Sequence, residues 1–203
     1  MVDSRLRMRA FAALVTSLAL SFPVAANAAD ESYAPTDRKG GWFDLFGTAF
    51  VGDGLRFNNP YRLATVLGSQ AQSLSRTAAY TDLGGAILIG NPAFLAHGLV
   101  LRASLALEGV PQAVLAPSYM VLHRFGPWAA YGRAGMPIVL SPDTTFGMEA
   151  GAGGVWFVRA GIGLAAELVG DVFYGAGTRE VGTPAYPVLS GQAGLWLSWE
   201  VLP

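Results

Sequence analysis

Charged side chains recur at a spacing that would bring them together in this sequence. Between residues 98 and 109, Arg102 and Glu108 occupy the even positions, whereas leucines occupy most of the odd ones. Because successive side chains of a β-strand point to opposite faces, these charges would lie opposite the leucines. Charges facing one another could form ion pairs, line an ion path or act as a catalytic acid and base. The predicted cluster comprises Asp82, Arg102, Glu108, Arg133, Glu149, Glu167, Asp171 and Glu200.

Other reactive side chains are few. His97 and His123 are the only histidines, and two separated histidines do not supply a closed metal shell. The sequence contains no Gly-x-Ser-x-Gly nucleophile motif. Cysteine is absent, which excludes disulfides, thiol catalysis and thiolate metal sites. We therefore predict no catalytic residue, no cofactor and no metal site.

The composition indicates a chain whose surface is hidden from water. Of its 203 residues 52% are hydrophobic and only 13% are charged, whereas roughly 25% are charged in an average soluble domain. The net charge is −1, and no run of Lys or Arg follows the first ten residues. Nucleic acid is therefore not an expected partner, because phosphate binding needs clustered cations.

The first 28 residues have the pattern of a signal peptide. Arg5, Arg7 and Arg9 precede an apolar stretch over residues 10–24, and Ala26-Asn27-Ala28 matches a signal-peptidase site. We expect cleavage before Ala29 and export of the remainder. The predicted organisation is a signal peptide over 1–28, a short periplasmic lead over 29–41 and one β-barrel domain over 42–203.

The apolar segments of the mature chain are strands rather than transmembrane helices. Residues 83–101 and 181–199 are long and nearly uncharged, but each contains several glycines and at least one proline. A helix loses about 1 kcal/mol per Gly and about 3 kcal/mol per Pro. Residues 189–201, 97–108 and 161–174 instead alternate at period two, with an aliphatic face opposite a small or polar one, as lipid-facing barrel strands do. Eight strands are predicted near residues 43–57, 78–90, 98–109, 115–124, 128–140, 144–157, 160–174 and 187–201.

These strands predict an all-β fold, a closed antiparallel transmembrane β-barrel in the bacterial outer membrane. An even strand count places both termini in the periplasm and the longest connections outside. In one of those connections, Asn59 and Pro60 could begin a helix over residues 60–74. The tryptophans support this arrangement, because they favour membrane interfaces. All five fall at predicted periplasmic strand ends: Trp42, Trp128, Trp156, Trp196 and Trp199.

The last strand resembles the C-terminal assembly signal of bacterial outer-membrane proteins. Its pattern is carried by Gln192, Gly194, Leu197 and Trp199, although Glu200-Val201-Leu202-Pro203 follows where that family usually ends on an aromatic residue. Residues 42–203 as a whole resemble the small eight-stranded outer-membrane proteins of the OmpA-like and OmpW-like type. The resemblance implies two partners, the outer-membrane lipid and the assembly machinery, and a monomeric barrel.

Within such a barrel the charged cluster is predicted to be a structural network that seals a polar interior. An eight-stranded barrel is only wide enough for its own side chains, and buried charges must be paired. The favoured function is a non-enzymatic structural or surface-interaction role. Three alternatives remain open: a narrow conduit for small or hydrophobic molecules, as in OmpW-like barrels, a lipid-modifying enzyme that uses the histidines, and a soluble exported lipocalin-like binding barrel.

Overall fold

The structure, a computed structural model, describes residues 43–57, 75–91, 94–109, 111–141, 144–159, 161–174 and 185–201. The predicted signal peptide, the periplasmic lead, Trp42 and the helix at 60–74 lie outside these residues. No helix among the described residues is long and apolar enough to cross a membrane. The described strands are β1 (Phe43–Arg56), β2 (Ser75–Arg76), β3 (Tyr80–Asn91), β4 (Leu95–Ala106), β5 (Ala113–Phe125), β6 (Trp128–Gly135), β7 (Ile138–Ser141), β8 (Thr145–Arg159), β9 (Ile162–Tyr174) and β10 (Ala185–Val201).

These strands form one closed antiparallel barrel. The neighbour order is β10-β9-β8-β6-β5-β4-β3-β1, and β10 also pairs with β1, which closes the sheet. The closing ladder runs from Phe43 opposite Val201 to Arg56 opposite Val188. The short strand β2 pairs with the end of β1, and β7 pairs with β5 and β8 beyond the end of β6. The prediction of an eight-stranded antiparallel barrel is therefore confirmed, with β6 and β7 sharing one position in the wall.

Two residues separate β6 from β7 without opening the wall. Pro137 lacks a backbone N–H and cannot donate to a neighbouring strand. The Met136 amide donates to the Pro117 carbonyl at 3.1 Å, and the Pro137 carbonyl accepts from the Gly147 amide at 2.9 Å. The sheet is thus hydrogen-bonded on both sides of the interruption.

The two ends of the barrel differ in how the strands are connected. At one end, here called the turn end, β1 begins, β10 ends, and residues 92–94, 126–127 and 160–161 join strand pairs. Gly126 and Gly161 adopt positive φ angles of 62° and 74° in two of these turns, a conformation that favours glycine. At the opposite end, here called the loop end, β1 ends at Arg56, β9 ends at Tyr174 and β10 begins at Ala185.

The outer and inner faces of the wall carry opposite kinds of side chain. On β4, Leu99 and Leu101 are 70% and 54% exposed, whereas Arg102, the next residue of the same strand, is 4% exposed. The same alternation holds on β8 and β9, where Met148 and Leu168 face outward while Glu149 and Glu167 are buried. The period-two pattern of the sequence therefore assigned the outward and inward faces correctly on β4 and β9.

The half of the interior near the turn end is filled by apolar side chains. Its members are packed against one another in one cluster: Phe46, Phe50, Ala86, Leu88, Ala96, Val100, Met120, Leu122, Ala129, Tyr131, Val155, Phe157, Ala165 and Trp196. We call this cluster the apolar plug. The prediction of a polar interior is wrong for this half of the barrel. The physical reason is that segments such as 86–89, Ala-Ile-Leu-Ile, are apolar on both faces and do not alternate.

Candidate functional site

Five inward charges form one chain of alternating sign between the apolar plug and the loop end. Arg102 on β4 pairs through Nη1 with Asp82 Oδ2 at 3.2 Å and through Nη2 with Glu149. Arg133 on β6 pairs with Glu149 and, through Nε, with Glu167. Strands β4 and β8 are not neighbours in the sheet, so the pair between Arg102 and Glu149 crosses the lumen. Closure of the barrel is what brings these side chains together.

Neutral side chains extend this chain to further strands. The Gln192 amide donates to Glu167 Oε2 at 2.7 Å, and the Tyr131 hydroxyl donates to the same oxygen at 3.3 Å. Ser118 donates to Glu149 at 3.3 Å, and Ser104 donates to Asp82. Hydrogen bonds to the remaining lone pairs are what make buried ion pairs tolerable in an apolar protein. We call the connected set the lumen network: Asp82, Arg102, Arg133, Glu149, Glu167 and Gln192.

Glycines on the inner face give the long side chains room to lie across the lumen. A Cβ atom at Gly151 would come within 2.2 Å of Glu167 Oε1 and 3.2 Å of Arg133 Cζ. A Cβ atom at Gly84 would come within 2.5 Å of Thr48 Oγ1 and 3.1 Å of Arg102 Cγ. Arg133 thus packs over Gly151, and Arg102 packs over Gly84. Their neighbours therefore show a packing role for these two glycines.

Asp171 adds a further carboxyl group beside the lumen network. Asp82, Glu149, Glu167 and Asp171 face two guanidinium groups, those of Arg102 and Arg133. Asp171 lies on β9 directly opposite Glu149 on β8. Like charges opposite one another in a sheet repel. Asp171 and Glu149 are therefore two like charges on neighbouring strands, with Asp171 on the loop-end side of the lumen network.

Glu108, one of the eight predicted cluster residues, lies elsewhere. It is exposed at the loop end, where its carboxylate accepts from the Ala79 amide at 3.1 Å and lies 3.9 Å from Arg76 Nη2. The prediction that it faces the lumen is wrong, because β4 ends at Ala106 and the strand alternation does not continue to residue 108. Glu200 lies on β10, opposite Asp44, but its side chain is outside the described part of the chain.

Three of the tryptophans of the predicted periplasmic rim face outward at the turn end, and a fourth faces inward. Trp128 and Trp156 face outward at the turn end and stack with ring centroids 5.8 Å apart, and Trp199 is also exposed there. Trp196 is only 2% exposed and stacks on Phe46 inside the barrel, with centroids 4.1 Å apart. Its parity in β10 is that of Gln192 and Gly194, so the alternation of the strand directs it inward. The sequence contained a signal for this inward orientation, because Trp196 is not in the alternating row of outward residues Leu195, Leu197 and Trp199.

The two histidines face outward near the turn end. His97 Nδ1 lies 2.7 Å from the Tyr119 hydroxyl, and His123 Nδ1 lies 2.7 Å from the Phe94 carbonyl. A carbonyl only accepts hydrogen bonds, so His123 carries its proton on Nδ1 and donates. Neither of these two partners is a serine or a carboxylate of the kind that a hydrolase triad requires. Among the described residues, no group of three or more His, Asp and Glu side chains is arranged to hold a metal ion.

The residues of the predicted assembly signal lie on both faces of the closing strand. Gln192 faces inward and is bound in the lumen network, whereas Leu197 and Trp199 face the outside. A Cβ atom at Gly194 would lie 2.0 Å from the Ala49 carbonyl, so glycine allows β1 to approach β10 closely. The recognition of this strand by assembly machinery stays a prediction.

No protein-family model and no curated protein matches the chain. Solved structures of small barrels are similar to it. The N-terminal β-barrel domain of Pseudomonas aeruginosa OprF is 13% identical over 75% of this chain and 97% of its own, with a TM-score of 0.44. The outer membrane protein OprG from Pseudomonas aeruginosa is 13% identical over 83% of this chain and 99% of its own, with a TM-score of 0.42. Neisserial surface protein A is 11% identical over 78% of this chain and 99% of its own, with a TM-score of 0.44. The fold itself is defined by the chain's own strand order: a closed, eight-stranded antiparallel β-barrel with an apolar outer face and ion pairs inside.

Proposed function

We propose that this chain is an integral outer-membrane β-barrel protein with a non-enzymatic structural or surface-interaction role. The observation that carries the proposal is the polarity of the wall. Exposed leucines such as Leu99 and Leu101 cover the outside, while Arg102, Glu149 and Glu167 are buried within. In water, exposed leucines are unfavourable and charged side chains are more stable at the surface. In lipid, an apolar outer face is favourable and charged side chains are more stable inside the barrel.

The interior supports a sealed barrel rather than an axial conduit. The apolar plug fills the lumen near the turn end, and the lumen network crosses it between the plug and the loop end. A small lumen already occupied by packed and paired side chains leaves little room for a solute. The lipid-modifying alternative is less favoured, since His97 and His123 face outward and contact a tyrosine hydroxyl and a backbone carbonyl.

A soluble lipocalin-like barrel is opposed by the outer face. Such a barrel places apolar side chains around its ligand and polar side chains toward water. The interior here is partly apolar, as that alternative requires, but Leu99, Leu101, Met148 and Leu168 cover the outside.

A single pair of substitutions separates membrane-embedded from soluble barrels. Leu101→Arg places a charge in the middle of the outer face of β4, whereas Leu107→Arg places the same charge on an exposed residue beyond the end of that strand. In a bilayer, arginine at the midplane costs about 2–4 kcal/mol, and near the interface about 0–1 kcal/mol. In water, both substitutions on exposed residues would change stability by less than about 0.5 kcal/mol.

The measurement is insertion into lipid vesicles, followed by heat-dependent gel mobility and urea unfolding, alongside fractionation of cells that express the full chain. We expect the wild type in the outer-membrane fraction, with Leu101→Arg clearly less stable than Leu107→Arg. A product in the soluble fraction, or equal stability of the two variants, would overturn the membrane assignment.

A further inference from the structure

The outer wall contains a groove beside the seam between the first and last strands. It has a volume of about 810 Å³ and crosses β8, β9, β10 and β1. The outward side chains of its floor are small, those of Ala152, Ala166 and Ala193 beside Gly191, and the groove is bordered by Val51 and Leu168. Glu167 and Gln192, whose side chains point into the lumen, also contribute to its lining. Because the outward side chains of the floor are shorter than the leucines that cover β4, the groove is a recess in the apolar outer face.

Charged side chains close the groove at the loop end. Asp53 and Arg76 line it and form an ion pair with each other. The Asp53 carboxylate also accepts from the Gly54 amide at 2.7 Å, which fixes its position. Glu108 Oε1 lies 3.9 Å from Arg76 Nη2. All three side chains are exposed on the outside, and together they carry two negative charges and one positive charge.

The height of this charged group matches a membrane boundary. Asp53 is ten residues along β1 from Phe43 at the turn end. At about 3.3 Å per residue and a tilt of about 40°, that corresponds to roughly 25 Å along the barrel axis. The apolar band of outer-membrane barrels is also about 25 Å tall. The charges therefore lie at headgroup level, and the small-residue floor lies within the apolar band.

We propose that this groove binds one acyl chain of a lipid whose headgroup carries both a phosphate and an ammonium group. The inference rests on the proposed membrane location. The recess accepts the chain, and the Arg76 guanidinium is suited to a phosphate. The carboxylates of Asp53 and Glu108 accept from the ammonium group. A headgroup with only negative charge would meet two carboxylates for one guanidinium, so charge complementarity favours the zwitterionic headgroup.

The test measures which lipid the barrel retains. The full chain is inserted into vesicles of phosphatidylethanolamine and phosphatidylglycerol in equal amounts, and lipid bound after detergent extraction is identified by native mass spectrometry. We expect enrichment of phosphatidylethanolamine of about threefold, which is the scale of exposed charge contacts. Gly191→Leu fills the recess, where a Cβ atom has an ordinary contact 3.8 Å from Leu168. Bound lipid should be lost in this variant.

Two further variants separate chain binding from headgroup recognition. Gly132→Leu is the matched control, since Gly132 also faces outward but lies on β6 away from the groove, and it should retain the lipid. Arg76→Gln should retain lipid but lose the preference for phosphatidylethanolamine. No enrichment in a wild-type barrel that has inserted, or equal retention in Gly191→Leu and Gly132→Leu, would overturn the groove inference alone. Failure of the wild type to insert, judged by heat-dependent gel mobility, would overturn both the proposed function and this inference.

Discussion

Arg133 holds two carboxylates at once and is the central residue of the lumen network. Glu149 and Glu167 both pair with it, and each also has a second polar contact, to Arg102 and to Gln192. Removing one member of a buried ion pair leaves its partner charged in a poorly solvated place, which is more costly than never having buried the pair. We therefore expect that substituting a charged residue of the lumen network destabilises the barrel more when that residue has more charged partners.

Replacing Arg133 should destabilise the barrel strongly. Arg133→Met keeps the length of the side chain but leaves Glu149 with one guanidinium and Glu167 with none in the lumen network, so we expect a loss of about 3–5 kcal/mol in the free energy of unfolding. Urea unfolding in lipid vesicles measures it. The control is Arg159→Met, at an exposed arginine at the end of β8. Equal losses in the two variants would show that the ion pairs contribute little.

Replacing Asp171 should not lower the free energy of unfolding, in contrast to replacing Arg133. Asp171→Asn keeps the shape of the side chain and removes the repulsion from Glu149 on the neighbouring strand, so the free energy of unfolding should rise or stay unchanged near neutral pH. Glu149→Gln is the comparison, since it removes the partner of both arginines and should be destabilising by about 3 kcal/mol or more. Thermal unfolding of both variants in the same detergent checks the order. A loss of stability in Asp171→Asn would mean that its charge is compensated.

At the scale of the strands, the inner and outer glycines of one element have different tasks. Gly151 and Gly154 both lie on β8, but Gly151 faces the lumen network and Gly154 faces outward. A Cβ atom at Gly154 would have its nearest contact at 3.6 Å, to the Ala129 carbonyl, whereas one at Gly151 would overlap Glu167. The same residue type is therefore required by packing at one position and replaceable at the other.

Valine at these two positions makes the difference measurable. Valine is favoured in strands, so Gly154→Val should be neutral or stabilising on the outer face. Gly151→Val should displace the Glu167 and Arg133 side chains and destabilise the barrel by about 1–3 kcal/mol, the usual cost of overpacking. Urea unfolding of the two variants in lipid vesicles gives the comparison. If Gly151→Val is as stable as Gly154→Val, the lumen has spare room next to β8.

At the scale of the whole molecule, two layers close the lumen, the apolar plug and the lumen network. In the first layer the rings of Phe46 and Tyr131 both contact Trp196, and the Tyr131 hydroxyl also donates to Glu167 in the second. Tyr131 thus joins the two layers. A barrel packed in this way should behave as a closed body in a bilayer.

Conductance across a planar bilayer tests this closure. We expect no steady conductance from the wild type. Trp196→Ala removes the largest side chain of the plug, so it should destabilise the barrel by about 3–5 kcal/mol and permit brief openings. Trp199→Ala, at an exposed tryptophan of the same strand, should remain as closed as the wild type. Steady conductance of the wild type would contradict the sealed interior.

The sequence predicted the barrel well because alternation is a local property. Leucines at most of the alternate residues of β4 were enough to assign its outward face. Glu108 was misplaced because the end of β4 is set by the loop beyond it. Trp196 and the apolar plug were missed because runs such as 86–89 lack alternation, and their meaning depends on which strands meet across the lumen. The contact between Arg102 and Glu149 likewise depends on closure.

The seam between β1 and β10 has a consequence for the timing of folding. It joins residues 43–56 to residues 188–201, the two extremes of the described chain. Until the final strand is available, β1 and β9 each keep an unpaired edge that can join another chain. Pairing of such distant segments is also slow, since a long loop must close first. A nascent form of this protein should therefore need protection from self-association up to the moment when its last strand arrives.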